Sequence, residues 1–301
     1  MTEMMRGVLS PVVTPFDDNL APDFARWLTH CQWLLAQDCG LAVFGTNSEA
    51  NSLSVAERID LLEKGMEAGL DPSRMMPGTG SCALPEAVEL TSLAVKHGCS
   101  GVLMLPPFYY KGLSEDGLYA FYSEVIQRVG DERLALYLYH IPQFAGVPIP
   151  HDLIERLVKD YPKTVLGIKD SSGDWSNTKA MLDRFPGFGV FCGSESFLLE
   201  NMRNGGAGCI SATANINAPA IVDLFDNWQG EDAEERQAKV TRFRKAIEGF
   251  AMISALKSTV AIETGDAAWN TVRPPLMPLD EATIARLAAA LQEQSFSMPG
   301  R

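Results

Sequence analysis

Val165-Leu166-Gly167-Ile168-Lys169-Asp170-Ser171-Ser172-Gly173-Asp174 is an apolar run that ends in a single lysine, followed by small polar residues and a glycine. Val, Leu and Ile bounded by turn formers read as a strand buried on both faces, the kind found in parallel sheets covered by helices. An ammonium at the end of such a strand is costly to desolvate. Burial disfavours the charged amine and exposes the neutral nucleophile, so the position suits attack on a ketone to give a Schiff base. The competing reading is a lysine that snorkels to solvent from the strand edge.

Working outward, the same kind of short apolar run recurs at residues 8–13, 41–44, 75–77, 101–105, 134–139, 189–191 and 208–210, which with 165–168 makes eight candidate strands. Helix-like stretches lie between them at 55–68, 85–97, 115–129, 152–160, 175–184, 197–204 and 218–228. Ser54 and Glu57 have capping-box spacing, and Pro85 sits where a helix begins. Strands alternating with helices imply parallel βαβ units, and eight of them imply an α/β fold of the (β/α)8 TIM-barrel class. From Glu231 the chain becomes charged and helical, residues 250–262 read as a buried helix and 281–292 as an amphipathic one. The expected organisation is a barrel over residues 1–228 that carries the active site, with a C-terminal three-helix extension over 229–301 in the same structural unit.

Composition excludes several classes. The chain has 301 residues, 46% hydrophobic and 21% charged, with a net charge of -13. That charge, without clustered Lys and Arg, argues against a nucleic-acid surface. No apolar run approaches membrane-spanning length, and the first residues lack a basic-then-apolar leader pattern, so a cytoplasmic protein with no membrane partner is expected. Six cysteines lack CxxC spacing and four histidines form no ligand pattern, so neither a disulfide framework nor a metal is expected.

In a barrel of this class function belongs to the C-terminal strand ends. Those ends carry Gly45-Thr46-Asn47-Ser48-Glu49, Pro106-Pro107-Phe108-Tyr109-Tyr110, Tyr139-His140-Ile141-Pro142 and Lys169. Thr46 and Asn47, in a tight glycine-led turn, can hold a small carboxylate by fixed dipoles, although a helix-capping turn is the plainer reading. Tyr139 offers a phenol as proton shuttle to a group on Lys169, or else is an amphipathic wall tyrosine.

These segments, with Gly7-Val8-Leu9-Ser10-Pro11-Val12-Val13-Thr14-Pro15-Phe16 and Gly205-Gly206-Ala207-Gly208 running into Ser211, resemble the pyruvate-dependent class I aldolases of the N-acetylneuraminate lyase and dihydrodipicolinate synthase family. The resemblance covers essentially the whole chain. It implies a lyase that needs no cofactor and acts reversibly on a 2-oxo acid, with pyruvate as product or donor. Lys169 then forms the imine, Tyr139 relays protons, and Thr46 with Asn47 grips the carboxylate, Asn47 standing where the family usually has Ser or Thr. Tyr109 matches the tyrosine that reaches a partner subunit's site, with Tyr110 as the neighbouring register, and Ile210 approaches the pyruvyl group. A homotetramer built as a dimer of dimers is implied as well.

Departures from the family pattern narrow the substrate. Dihydrodipicolinate synthases place an arginine two residues after the proline of the tyrosine motif, where this chain has Phe144; an aromatic ring cannot replace a bidentate cation, so an authentic synthase is not expected. Val55, Arg58 and Cys82 stand where those enzymes have polar ligands for lysine. Glu195 is one acidic residue where sialic acid lyases use two, while Ser171 and Ser211 can still bind a polyol. The alternatives are a dehydratase or deaminase acting through the same imine, on a 2-keto-3-deoxy sugar acid or a hydroxyproline-derived imine, and a catalytically silent 2-oxo acid sensor.

Overall fold

The computed structural model describes residues 4–301. In chain order the elements are β1 (Gly7–Ser10), α1 (Phe24–Ala36), β2 (Gly40–Leu41), α2 (Val55–Glu67), α3 (Leu84–Lys96), β3 (Val102–Met104), α4 (Glu115–Val129), β4 (Leu136–His140), α5 (Pro142–Ala145), α6 (His151–Asp160), β5 (Val165–Asp170), α7 (Trp175–Arg184), β6 (Gly189–Cys192), α8 (Leu198–Arg203), β7 (Gly208–Ile210), α9 (Ala214–Asp226), α10 (Ala233–Glu248), α11 (Met252–Thr264) and α12 (Glu281–Glu293), joined in places by short 3-10 turns. This is the alternation of a (β/α)8 barrel, followed by three further helices. Helices start where caps dictate: the side chains of Ser54, Ser114, Asp174 and Asp280 each accept a first-turn backbone N–H.

One expectation needs correction, and one element went unread. Residues 75–77 do not form a strand; the contact is an isolated parallel bridge, Gly78 with Leu103, flanked by Leu103 N–H to Pro77 O at 2.9 Å and Thr79 N–H to Leu103 O at 3.0 Å. Pro77 has no N–H to give, which confines the ladder to these bonds. Helix α1 is an element the sequence reading did not mark. Its core stripe is built from Trp27, His30, Cys31, Trp33 and Leu34, and Asp23 caps it by accepting from Arg26 N–H.

By internal contacts the chain forms two compact units, one of residues up to Gly7 with Asp71–Ile210, the other of Val8–Leu70 with Ser211–Arg301. In the first, β3 to β7 pair in consecutive order and in parallel. Their side chains are buried on both faces, as a helix-covered parallel sheet requires. Gly167 is obligatory at the middle of β5: a Cβ there would lie 2.3 Å from Gly189 O and 2.6 Å from Tyr137 Cδ1. Tyr137 fills that space, and its hydroxyl accepts from Met5 N–H at 2.8 Å.

In the second unit β1 and β2 pair in parallel, with Leu9 opposite Gly40 and Ser10 opposite Leu41. Asn215 on α9 fixes the chain leaving β1, its Oδ1 accepting from Val13 N–H at 2.9 Å and its Nδ2 donating to Pro11 O at 3.1 Å. Trp27 stacks on Phe44 with ring planes 5° apart, and Leu34, Leu256, Val260 and Leu287 are fully enclosed. Each such aliphatic side chain contributes about 1.5–3 kcal/mol by leaving water.

Candidate active site

Strands β4 and β5 are parallel neighbours, and their register sets Tyr139 opposite Lys169 and His140 opposite Asp170. In-register residues on adjacent strands share a face, so the two side chains meet. Lys169 Nζ lies 3.2 Å from the Tyr139 hydroxyl and 4.3 Å from its ring centroid. Both residues are buried, at 3% and 2% exposure, which puts a titratable amine and a phenol in one water-poor space. The lysine stands inside β5, which runs on to Asp170, rather than just beyond the strand.

Alternation turns Asp170 to the opposite face from Lys169. There its carboxylate accepts from Ser172 N–H at 2.9 Å, Asn177 Nδ2 at 2.9 Å and Thr178 Oγ1 at 2.7 Å, which ties the end of β5 to the start of α7. Asn177 Oδ1 in turn meets His151 Nε2 at 3.0 Å. His140 Nδ1 accepts from Ile149 N–H at 3.1 Å, so the ring proton belongs on Nε2. Burial pulls the His140 pKa below its ordinary value, consistent with a neutral ring.

Beyond the strands the ladder continues, Ser171 N–H donating to His140 O at 2.8 Å and Gly193 N–H to Asp170 O at 2.7 Å. Gln143 Nε2 donates to Ser171 O at 2.6 Å. Any side chain at position 193 would collide with Ser171, whose Oγ lies 2.2 Å from where a Cβ would stand. Glu195 opens a 3-10 turn, Glu195–Phe197, and is wholly buried, as is Ile210 at the end of β7. Tyr109 and Tyr110 are exposed and meet edge to face at 5.3 Å between ring centroids. Phe144 on α5 is exposed too. Lys111 Nζ fastens their segments together by donating to Phe108 O and to Ala145 O.

In the second unit Thr46 and Asn47 form the 3-10 turn Thr46–Ser48, and both are half-buried. Gly45 N–H donates to Ser48 Oγ at 3.1 Å, Ser48 N–H to Gly45 O at 3.1 Å, and Thr14 Oγ1 to Ser48 O at 2.7 Å. Two left-handed non-glycine residues bracket the turn, Phe44 with φ 61° and Glu49 with φ 55°. Each such residue costs about 1–3 kcal/mol, which surrounding contacts must offset. Ser211 in this unit is buried, with Arg244 Nη1 at 3.4 Å from its Oγ. Sequence reasoning missed the groups around Glu49: Lys257 Nζ at 2.7 Å from Oε1 and Arg273 N–H at 3.0 Å from Oε2. A lysine inside the apolar run of α11 was the available signal, by the same reasoning that singled out Lys169.

Among the described residues no cluster of three or more His, Cys, Asp or Glu side chains could hold a metal ion, and no helix is long and apolar enough to cross a membrane.

The model of the dihydrodipicolinate synthetase family matches residues 4–294. An uncharacterized DapA-like lyase of Chloroflexus aurantiacus is 34% identical over 291 residues, 95% of this chain and 96% of that protein. The 4-hydroxy-tetrahydrodipicolinate synthase of Agrobacterium fabrum is 30% identical over 303 residues, 96% and 98% of the two chains. The crystal structure of dihydrodipicolinate synthase from Agrobacterium tumefaciens superposes with a TM-score of 0.89 at 28% identity, covering 96% of this chain and 99% of that one. The chain thus belongs to the dihydrodipicolinate synthetase family and is a lyase with a (β/α)8-barrel fold and C-terminal helices.

Proposed function

We propose that this lyase works as a class I aldolase, with Lys169 as the imine-forming amine and a 2-oxo acid, pyruvate as donor or product, as its substrate. The observation that carries the reading is the buried approach of Lys169 Nζ to the Tyr139 hydroxyl at 3.2 Å. The amine adds to the C2 carbonyl, the carbonyl oxygen leaves as water, and the resulting iminium draws electrons from C3. Loss of a proton from C3 gives an enamine that attacks an aldehyde; the reverse cleaves that C–C bond and reprotonates C3. Tyr139 donates the proton that lets water leave and takes it back on hydrolysis.

The remaining roles rest on the family resemblance: Thr46 and Asn47 hold the carboxylate, Ile210 packs on the pyruvyl group, and Ser171, Glu195 and Ser211 face the acceptor. Phe144 stands where a synthase uses arginine, so the acceptor aldehyde is one without a carboxylate at that point. Tyr109 reaches a neighbouring subunit in a homotetramer; its exposure, with that of Tyr110, leaves both rings available for such a contact. Pyruvate followed by borohydride, with peptide mass spectrometry, tests the reading. A reduced pyruvyl adduct on Lys169 is expected; folded protein without one would mean either a site that rejects pyruvate or a barrel without the imine chemistry.

A further inference from the structure

Glu49 closes the turn Thr46–Ser48 and opens the next one, Ala50–Ser52, in a left-handed conformation. Its carboxylate is enclosed on every side. Oε1 accepts from Lys257 Nζ at 2.7 Å, both side chains being 0% exposed, and Oε2 accepts from Arg273 N–H at 3.0 Å. Lys257 rises from the most buried stretch of α11, between Leu256 and Ser258, with its ammonium 4.4 Å from the Phe16 ring centroid. Arg273 approaches the same ring and donates to Ser52 O and Leu20 O, each at 2.7 Å. The turn is therefore gripped at Glu49 by fixed charges, and at the Ser48 carbonyl by Thr14.

For stability alone, well-packed apolar side chains would serve as well as an enclosed ion pair, because desolvation offsets the attraction. What an ion pair adds is direction: one carboxylate, two donors, one backbone geometry. We propose that the buried Glu49–Lys257 pair is the positioning device of the Thr46–Asn47 turn, so that breaking it weakens the hold on the carboxylate of a 2-oxo acid and spares the imine chemistry of Lys169. This rests on the function proposed above. Neither residue reaches solvent; both act through the backbone of the turn.

A pH signature accompanies the arrangement. Burial lowers the Lys257 pKa to about 8, against the attraction of Glu49, and Arg273 adds repulsion. These are the charged groups facing the ammonium, with Glu57 engaged by Arg273. Above about pH 8 Lys257 loses its charge, which leaves Glu49 with Arg273 alone, and carboxylate binding weakens.

The test reads two quantities: the pyruvate concentration that half-saturates borohydride trapping on Lys169, and amide exchange in residues 45–50 without ligand. In Lys257→Met and Glu49→Gln, half-saturation is expected to rise roughly tenfold or more while the saturated trapping rate stays within about threefold. Exchange at residues 45–50 speeds up, and residues 136–140 and 165–170 keep their protection. The double variant Glu49→Gln/Lys257→Met leaves no charge unpaired and keeps the protein folded even if a single change does not. A merely structural pair predicts that the double variant regains wild-type half-saturation, which overturns the proposal; a positioning pair predicts that half-saturation stays raised although stability returns. If the wild type forms no adduct, the functional reading fails on its own, and exchange decides here: faster exchange at 45–50 in the double variant upholds the positioning role, and unchanged exchange refutes it.

Discussion

Each compact unit buries one lysine among apolar groups, and the two are provided for in opposite ways. Lys257 faces an enclosed carboxylate at 2.7 Å, whereas Lys169 faces a phenol at 3.2 Å and that ring's π face. Both have left water, so both carry a desolvation cost. Only Lys257 recovers it through an ion pair, which ties the amine up as an ammonium and makes it a strut. Lys169 meets a group that can pass protons to and fro, which is what an amine needs if it is to add to a carbonyl and later be released. Counter-charge rather than burial separates the strut proposed for Lys257 from the imine-forming role proposed for Lys169.

The comparison breaks if the two lysines behave alike on replacement. Lys169→Met is expected to lower turnover by at least about 10³-fold and to abolish the trapped adduct, while Lys257→Met keeps a trapped adduct at high pyruvate. Turnover surviving in Lys169→Met would put the chemistry elsewhere. Next in size, Tyr139→Phe removes the proposed proton carrier but leaves the amine, so kcat is expected to fall by about 10²- to 10⁴-fold while borohydride still traps the imine. An undiminished kcat would return Tyr139 to the barrel wall.

Stability inverts the ranking. Removing one partner of the enclosed pair, in Glu49→Gln or Lys257→Met, costs about 3–5 kcal/mol in denaturant unfolding because the other charge stays buried alone. The double variant regains most of that. Lys169→Met, by contrast, changes stability by no more than about 1.5 kcal/mol, since it removes one hydrogen bond, to Tyr139, and leaves no opposite charge unpaired. Equal losses for the two lysines would show that Lys169 is a strut as well.

The sequence displayed one of these lysines and concealed the other, for a physical reason. Lys169 interrupts a β-branched and Leu-rich strand at its polar edge, where a charge contradicts the local pattern, and Tyr139 sits at the matching place on the preceding strand. Helices α4 and α7 run over the residues read from the sequence, 115–129 and 175–184, and Ser114 and Asp174 cap their first turns. The bond from Lys257 to Glu49 spans 208 residues, and no local period points across that distance. Helix α1 escaped because its buried stripe mixes Trp, His and Cys rather than aliphatic residues. The strand expected at 75–77 shrank to a bridge because a proline took a donor from its ladder. The turn at Thr46 and Asn47 was visible from Gly45, but its left-handed flanks, Phe44 and Glu49, were not, since they are imposed by tertiary contacts rather than by residue type.

The smallest effect concerns the outer neighbour of the pair. Arg273 gives its backbone N–H to Glu49 and its guanidinium to Glu57, whose pKa falls from 4.5 to about 2 mainly through that side-chain bond. A carboxylate held more acidic when folded than when unfolded adds stability that is full above pH 4.5 and is lost as the pH falls towards 2. Both partners are partly exposed, so the contribution is about 1 kcal/mol or less and shrinks with salt. Glu57→Gln keeps the capping bond to Ser54 N–H while deleting the charge. Thermal unfolding between pH 6 and pH 2.5 should therefore fall less steeply in the variant than in the wild type. Because Arg273 also serves Glu49, amide exchange on the acid side should quicken first at residues 45–57, ahead of β4 and β5. If β4 and β5 loosen first instead, the strut around Glu49 does not depend on Arg273, and Lys257 alone holds the turn.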